Sequence, residues 1–128
     1  MIKEEGLENI FARHERLALG LRHSLRAMGL ELLVKDDKNA SYSITSVIPP
    51  EGIAVPDIRS HLTKDFDIVV ANGQNELKDK IFRMGTLGFV SDRDLLTAVS
   101  SLEAVLMRLG YKFEVGIGTK TAIEWLNK

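Results

Sequence analysis

The stretch Lys80-Ile81-Phe82-Arg83-Met84-Gly85-Thr86-Leu87-Gly88-Phe89-Val90-Ser91-Asp92-Arg93-Asp94-Leu95 holds the two strongest structural signals of the chain. Its first half, Lys80 to Met84, reads as a strand, and in it the apolar run Ile81 to Met84 is broken by a single cation, Arg83. Ser91 then has the side chain of a helix N-cap, and Asp92 and Asp94 fall in the first turn, where the helix dipole favours negative charge. Leu95, Val99, Leu102, Leu106 and Leu109 continue at helical spacing, and Gly110 supplies a stop. A strand feeding an amphipathic helix is the unit around which the rest must pack.

Working towards the N-terminus, Phe66 to Val70 reads as another strand, with Asn72-Gly73 as the turn between it and Lys80. Before it, Pro56 sits well in a first helical turn, with Val55, Ile58 and Leu62 facing inward. Tyr42 to Ile48 is β-branched and alternates, Tyr42, Ile44 and Ser46 against Ser43, Thr45 and Val47, and Pro49-Pro50-Glu51-Gly52 ends it. Glu31 to Val34 makes a further strand, followed by a polar turn over residues 35–39. The longest periodic segment starts at Leu7 and buries Ile10, Phe11, Leu17, Ala18, Leu21, Leu25 and Met28, with Arg13, Glu15, Arg16, Arg22 and Arg26 on the remainder. Gly29 closes that helix, and Met1 to Glu5 reads as the end of an earlier one. Beyond Gly110, Tyr111 to Val115 is extended and Thr119 to Leu126 helical. The order predicts an α+β domain of two layers, a sheet of about four strands covered on one side by helices.

The whole of residues 1–128 fits one domain. Hydrophobic residues at 45% and charged residues at 27% match an ordinary globular protein. Lys and Arg total 17 against 18 Asp and Glu, interspersed, so no basic field exists for nucleic acid. No apolar run is long enough to cross a membrane and the first residues are acidic, which makes a cytoplasmic location the expectation. With no cysteine, disulfides and thiolate metal sites are excluded.

Most catalytic chemistry is missing. His14, His23 and His61 lack the spacing that puts two imidazoles on one helical turn, so no metal site is expected. There is no G-x-S-x-G. Gly116-Ile117-Gly118-Thr119-Lys120-Thr121 lacks the residue order of a phosphate loop and reads as the approach to the last helix. Asp36-Asp37 and Glu4-Glu5 are solvated pairs. Arg83 stands apart. A guanidinium inside an apolar run is costly to bury unless paired, and its planar fork suits a carboxylate. Taken alone, the residue reads rather as a partly exposed strand arginine paired with a nearby acid of its own chain.

Four segments, in order and spacing, resemble the class V aminotransferases of the serine-pyruvate and alanine-glyoxylate group, some of whose cyanobacterial and archaeal members are called soluble hydrogenase small subunits. They are Glu5-Gly6-Leu7-Glu8-Asn9 with Arg13-His14; Pro50-Glu51-Gly52-Ile53; Asn72-Gly73-Gln74-Asn75-Glu76-Leu77-Lys78; and Lys80 to Gly88. The resemblance spans nearly the whole chain and implies the small C-terminal domain of a pyridoxal phosphate (PLP) enzyme. Such an enzyme moves an amino group between an amino acid of serine or alanine type and a 2-oxo acid of pyruvate or glyoxylate type. It further implies that Arg83, in the pattern R-x-G-x-x-G, binds the substrate carboxylate and so aims the Cα–H bond across the cofactor. Gly73 and Gln74 match a loop at the domain cleft. Thr86 stands where many relatives have histidine, and Asn72 and Asn75 where glycine is frequent.

The family's large domain, with the lysine that joins the cofactor, is absent from residues 1–128, and none of the nine lysines sits in the corresponding motif. The expectation is therefore a domain that is inactive alone, holds no cofactor by itself, and self-associates through the surface left bare beside its first helix. A stand-alone module for binding or oligomerisation is the competing expectation.

Overall fold

The computed structural model describes residues 7–34, 44–85 and 91–128, with the side chains of residues 7, 8, 10 and 11 left aside. Helix α1 spans Leu7–Ala27, strand β1 Glu31–Leu32, β2 Ile44–Ile48, helix α2 Val55–Phe66, β3 Ala71–Asn72, β4 Phe82–Gly85, helix α3 Asp92–Arg108 and helix α4 Ile117–Leu126. The strands form one antiparallel sheet in the order β1-β2-β4-β3. This is the expected α+β arrangement.

Alternation along the strands decides which face meets the helices. Thr45, Val47, Phe82, Met84 and Leu32 point into the core, packed with Leu17, Leu21, Leu25, Ile58, Leu62, Leu95, Leu102 and Leu106. Ile44, Ser46, Ile48 and Arg83 alternate with them on the opposite face. Register places Ser46 beside Arg83 on one side and Ala71 beside it on the other. Thr45 and Val47 are therefore on the inner face, as their alternation predicts.

The helices are fastened at their ends. Trp125 donates its indole N–H to the Arg16 carbonyl at 2.8 Å, and Arg16 returns one to Leu126 O at 2.8 Å, which locks α4 across α1. Gly20 makes the crossing possible, since a Cβ there would lie 2.6 Å from Trp125 Cδ1 and 2.8 Å from Leu95 Cδ2. Between α2 and α3, Asp65 accepts from His61 at 3.1 Å and from Arg108 at 2.8 Å. The hydrogen bond from His61, with the Arg108 charge behind it, holds the Asp65 carboxyl below its ordinary value.

Several boundaries differ from those expected. The segment from Phe66 to Val70 is not a strand: Phe66 ends α2, and Asp67 adopts a left-handed conformation with φ 56°. The amides of Asp67 and Ile68 then close back on Thr63 O and Leu62 O, so pairing begins only at Ala71. Asn72 consequently lies in β3 instead of the turn, and β4 starts at Phe82, not Lys80. β1 ends at Leu32, although Leu33 N–H still donates to Ser46 O at 3.0 Å. Arg22 is not on a solvated face. It is 1% exposed and donates from Nη2 to Val34 O at 2.8 Å. The readings of Met1 to Glu5, of residues 35–39, and of Tyr42, Ser43 and Thr86 lie outside the described residues.

Candidate functional site: a guanidinium on the open sheet face

Arg83 sits at the middle of β4, itself an interior strand of the sheet, on the face that no described helix covers. Its neighbours along the chain, Phe82 and Met84, are buried on the other face, so the backbone that carries the guanidinium is clamped by the core. The side chain is half-buried. Its Nε–H donates to the backbone carbonyl of Asn72 at 2.7 Å. Among the described residues no carboxylate pairs with it. The ordinary alternative, an internal ion pair with an acid of the same chain, is thus not what the described structure contains.

A guanidinium can bind a carboxylate through Nε and one terminal nitrogen, or through both terminal nitrogens. Asn72 occupies Nε, which leaves the end-on mode. A fixed stem and two terminal nitrogens with no hydrogen-bond partner among the described residues make a fork of a shape that suits a planar, singly negative group.

The loop from Gly73 to Lys80 runs beside this arginine and contains a single 3-10 turn, Asn75–Leu77. Gly73 is buried, and its glycine identity follows from crowding, since an added Cβ would lie 2.2 Å from Leu77 O. Its amide donates to Ile81 O at 3.2 Å, tying the start of the loop to its end. Gln74 is exposed at the entrance of the 3-10 turn. Asn75 adopts φ 53°, a left-handed conformation that asparagine tolerates better than most residues. Arg83, Gly73 and Gln74 therefore fall in one region, linked through Asn72.

The other sequence candidates resolve as structure. His23 stacks on the Trp125 ring with centroids 4.7 Å apart. His61 engages Asp65, and among the described residues no group of acids and histidines could hold a metal ion. The glycine-rich approach to α4 does bind an anion, but an internal one. The carboxylate of buried Glu103 accepts from the amides of Gly116 at 2.8 Å, Gly118 at 3.1 Å and Thr119 at 3.1 Å, and from the Thr119 hydroxyl. This capture also explains why α4 begins at Ile117, two residues earlier than its periodicity suggests. The groove of about 360 Å³ along α2 is lined by Pro56, Arg59, Ser60, Thr63 and Lys64 and does not include Arg83.

Two features, one at the site and one in the core, escape sequence reading. Asn72 acts through a side chain that closes on a residue seven positions away, and Glu103 sits inside an apolar helical stripe with its partners more than ten residues on. The only sequence signal for Glu103 is a lone acid between Leu102 and Val105.

No protein-family model matches the chain. Individual proteins do. The chain is 50% identical over 123 residues to a soluble hydrogenase small subunit of Synechococcus, covering 95% of itself and 32% of that protein. It is 40% identical over 128 residues to an uncharacterized aminotransferase of Methanocaldococcus jannaschii, covering 100% of itself and 33% of that protein. Among solved structures, the ureidoglycine-glyoxylate aminotransferase of Bacillus subtilis superposes with a TM-score of 0.91 at 34% identity, over 99% of this chain and 33% of that one. The chain spans about a third of the length of the proteins it matches.

Proposed function

Because the chain is homologous to the C-terminal portion of the class V aminotransferases, a group that includes the soluble hydrogenase small subunits, we propose that it supplies the carboxylate grip of a PLP-dependent transaminase. Arg83 binds the carboxylate shared by the amino acid donor and the 2-oxo acid acceptor, end-on, through its two terminal nitrogens. The observation that carries this reading is the fixed guanidinium itself: stem tied to Asn72 O, no internal acid as partner among the described residues, open sheet face in front.

The described lysines do not have the setting of a cofactor-holding residue. Such a role requires a desolvated lysine amine, and Lys64, Lys78, Lys80, Lys112, Lys120 and Lys128, the lysines among the described residues, are all exposed. PLP, where bound, supplies an electron sink. Its site and the reacting lysine are assigned to a complementary portion, and no step on the cofactor is assigned to this chain. What the chain contributes is binding and orientation: a carboxylate held at a fixed point restricts rotation of the attached Cα, a large part of what positioning adds to a rate. The substrates follow as amino acids of serine or alanine type with glyoxylate or pyruvate.

The open sheet face is also the natural seat for that complementary portion. Ile44, 41% exposed, and half-buried Ile48 flank Ser46 there, beside Arg83. The chain alone would cover these groups by self-association, which sedimentation at rising concentration would detect. The surface beside the first helix, where self-association was expected from the sequence, is the alternative that the same measurement addresses.

The test is a fusion in which the matching third of the Methanocaldococcus jannaschii aminotransferase is replaced by this chain. Amino transfer from serine or alanine to glyoxylate or pyruvate is expected with added PLP. A folded fusion with bound PLP and no transfer to either acceptor contradicts the proposal.

A further inference from the structure

Arg83 is held by a backbone carbonyl, and a carbonyl is only as well aimed as the peptide plane that carries it. The plane between Asn72 and Gly73 is fixed from several directions. Gly73 N–H donates to Ile81 O at 3.2 Å and to Asn72 Oδ1 at 2.7 Å. Asn72 Oδ1 also accepts the Asp79 amide at 2.8 Å, and Asn72 Nδ2 donates to Asp79 Oδ1 at 2.7 Å. Both ends of the Asn72 amide are thereby used on the two ends of one loop, in a two-way bond with Asp79. The closed loop leaves the carbonyl of Asn72 facing Arg83 Nε at 2.7 Å.

We infer that Asn72, clasped to Asp79, is a positioning residue that sets the direction of the Arg83 guanidinium and thereby its end-on mode of carboxylate binding. The inference rests on the reading of Arg83 as a carboxylate grip and adds a residue that acts through it. Three properties of asparagine are used at once. Its side-chain oxygen accepts two amides, its side-chain nitrogen donates to a carboxylate, and its backbone carbonyl stays available to the arginine. Alanine would keep the carbonyl and lose the clasp. Aspartate would keep both amide bonds but set two carboxylates against each other. Asp79, at φ 61°, holds a left-handed conformation that the two-way bond helps to maintain.

A further consequence concerns specificity. With Nε occupied, the approach is restricted to a carboxylate in line with the terminal nitrogens. Loosening the clasp releases Nε, so side-on binding competes and the attached Cα loses its fixed direction.

The test uses the chain itself, by nuclear magnetic resonance, with pyruvate as the carboxylate probe. The Arg83 Nε–H signal, identified by its loss in Arg83→Lys, should be protected from solvent exchange and should shift saturably with pyruvate. In Asn72→Ala, with the Phe82 and Met84 amide signals reporting an intact sheet, we expect Nε–H exchange faster by about tenfold and pyruvate binding weaker by a similar factor, the size of one lost hydrogen bond. Asn72→Asp should behave like the alanine variant, and the paired N72D/D79N exchange should restore both readouts, since it reverses the donor and the acceptor. Exchange and binding unchanged in Asn72→Ala would overturn this inference alone. No saturable shift in the parent chain would overturn the carboxylate role of Arg83, and this inference with it.

Discussion

At the scale of single residues, Arg83 was legible because a cation inside an apolar run must have a reason to be there. Its alternation with Phe82 and Met84 then placed it on the uncovered face. The sequence did not show what orients it. Asn72 looked like the first residue of a turn, because Asn-Gly is a common hairpin pair, and only the fold reveals it at the end of a two-residue strand with its side chain turned to Asp79. Gly73 was expected to serve backbone turning. The structure gives a different reason for the glycine, close approach of the Leu77 carbonyl. Gly73→Ala should therefore cost about 1–3 kcal/mol of stability through displaced backbone. Chemical denaturation measures it, and a variant as stable as the parent would show that the loop relaxes freely.

At the scale of elements, α1 and α3 were readable because their apolar stripes are long and their stops are glycines. Gly29 and Gly110 have positive φ, at 84° and 90°. Short strands were harder. β1 and β3 have two residues each, too few for alternation to register, and their positions are set by pairing with β2 and β4. The failed strand over residues 66–70 shows the same competition: apolar, β-branched residues follow α2, but the left-handed cap at Asp67 claims the backbone first. The start of α4 is likewise set from outside, by Glu103. Glu103→Ala should leave three amides and a hydroxyl without their acceptor and cost about 2–4 kcal/mol. Hydrogen exchange at Gly118 and Thr119 should rise well before that of α1, and uniform protection would contradict the assignment. Between α2 and α3, Asp65 has its carboxyl held below 3.8, chiefly by the hydrogen bond from His61. A carboxylate stabilised in the folded state contributes above its unfolded value, and that contribution disappears as pH falls through the lowered folded value. A stability difference between the parent and Asp65→Asn, present near about pH 5, should accordingly close as the pH is taken below 3.8. A difference independent of pH would mean that the Asp65 charge is not involved.

At the scale of the molecule, one side of the sheet has a core and the other, among the described residues, has no helix over it. Two-layer packing accounts for the first: among the described residues, helices cover the inner face, and α4 is locked across α1 through Trp125 and Arg16. The second is a matter of what the chain matches. Relatives that share its length-long similarity are about three times longer, and the chain corresponds to a third of each. Composition and periodicity could establish a folded α+β domain, but 128 residues that match a third of their relatives carry no complete catalytic pattern to read. The resemblance carried by the segments around Gly73 and Arg83 supplied what local reading could not.

The proposed grip of the Arg83 guanidinium on a substrate carboxylate has one direct test. In the fusion with the Methanocaldococcus jannaschii large portion, the decisive quantity is kcat/KM for the amino donor in Arg83→Gln relative to the parent. We expect a fall of about a hundredfold or more, with PLP binding unchanged, because a bidentate charged contact is lost from the reacting substrate. A kcat/KM equal to that of the parent would contradict the account.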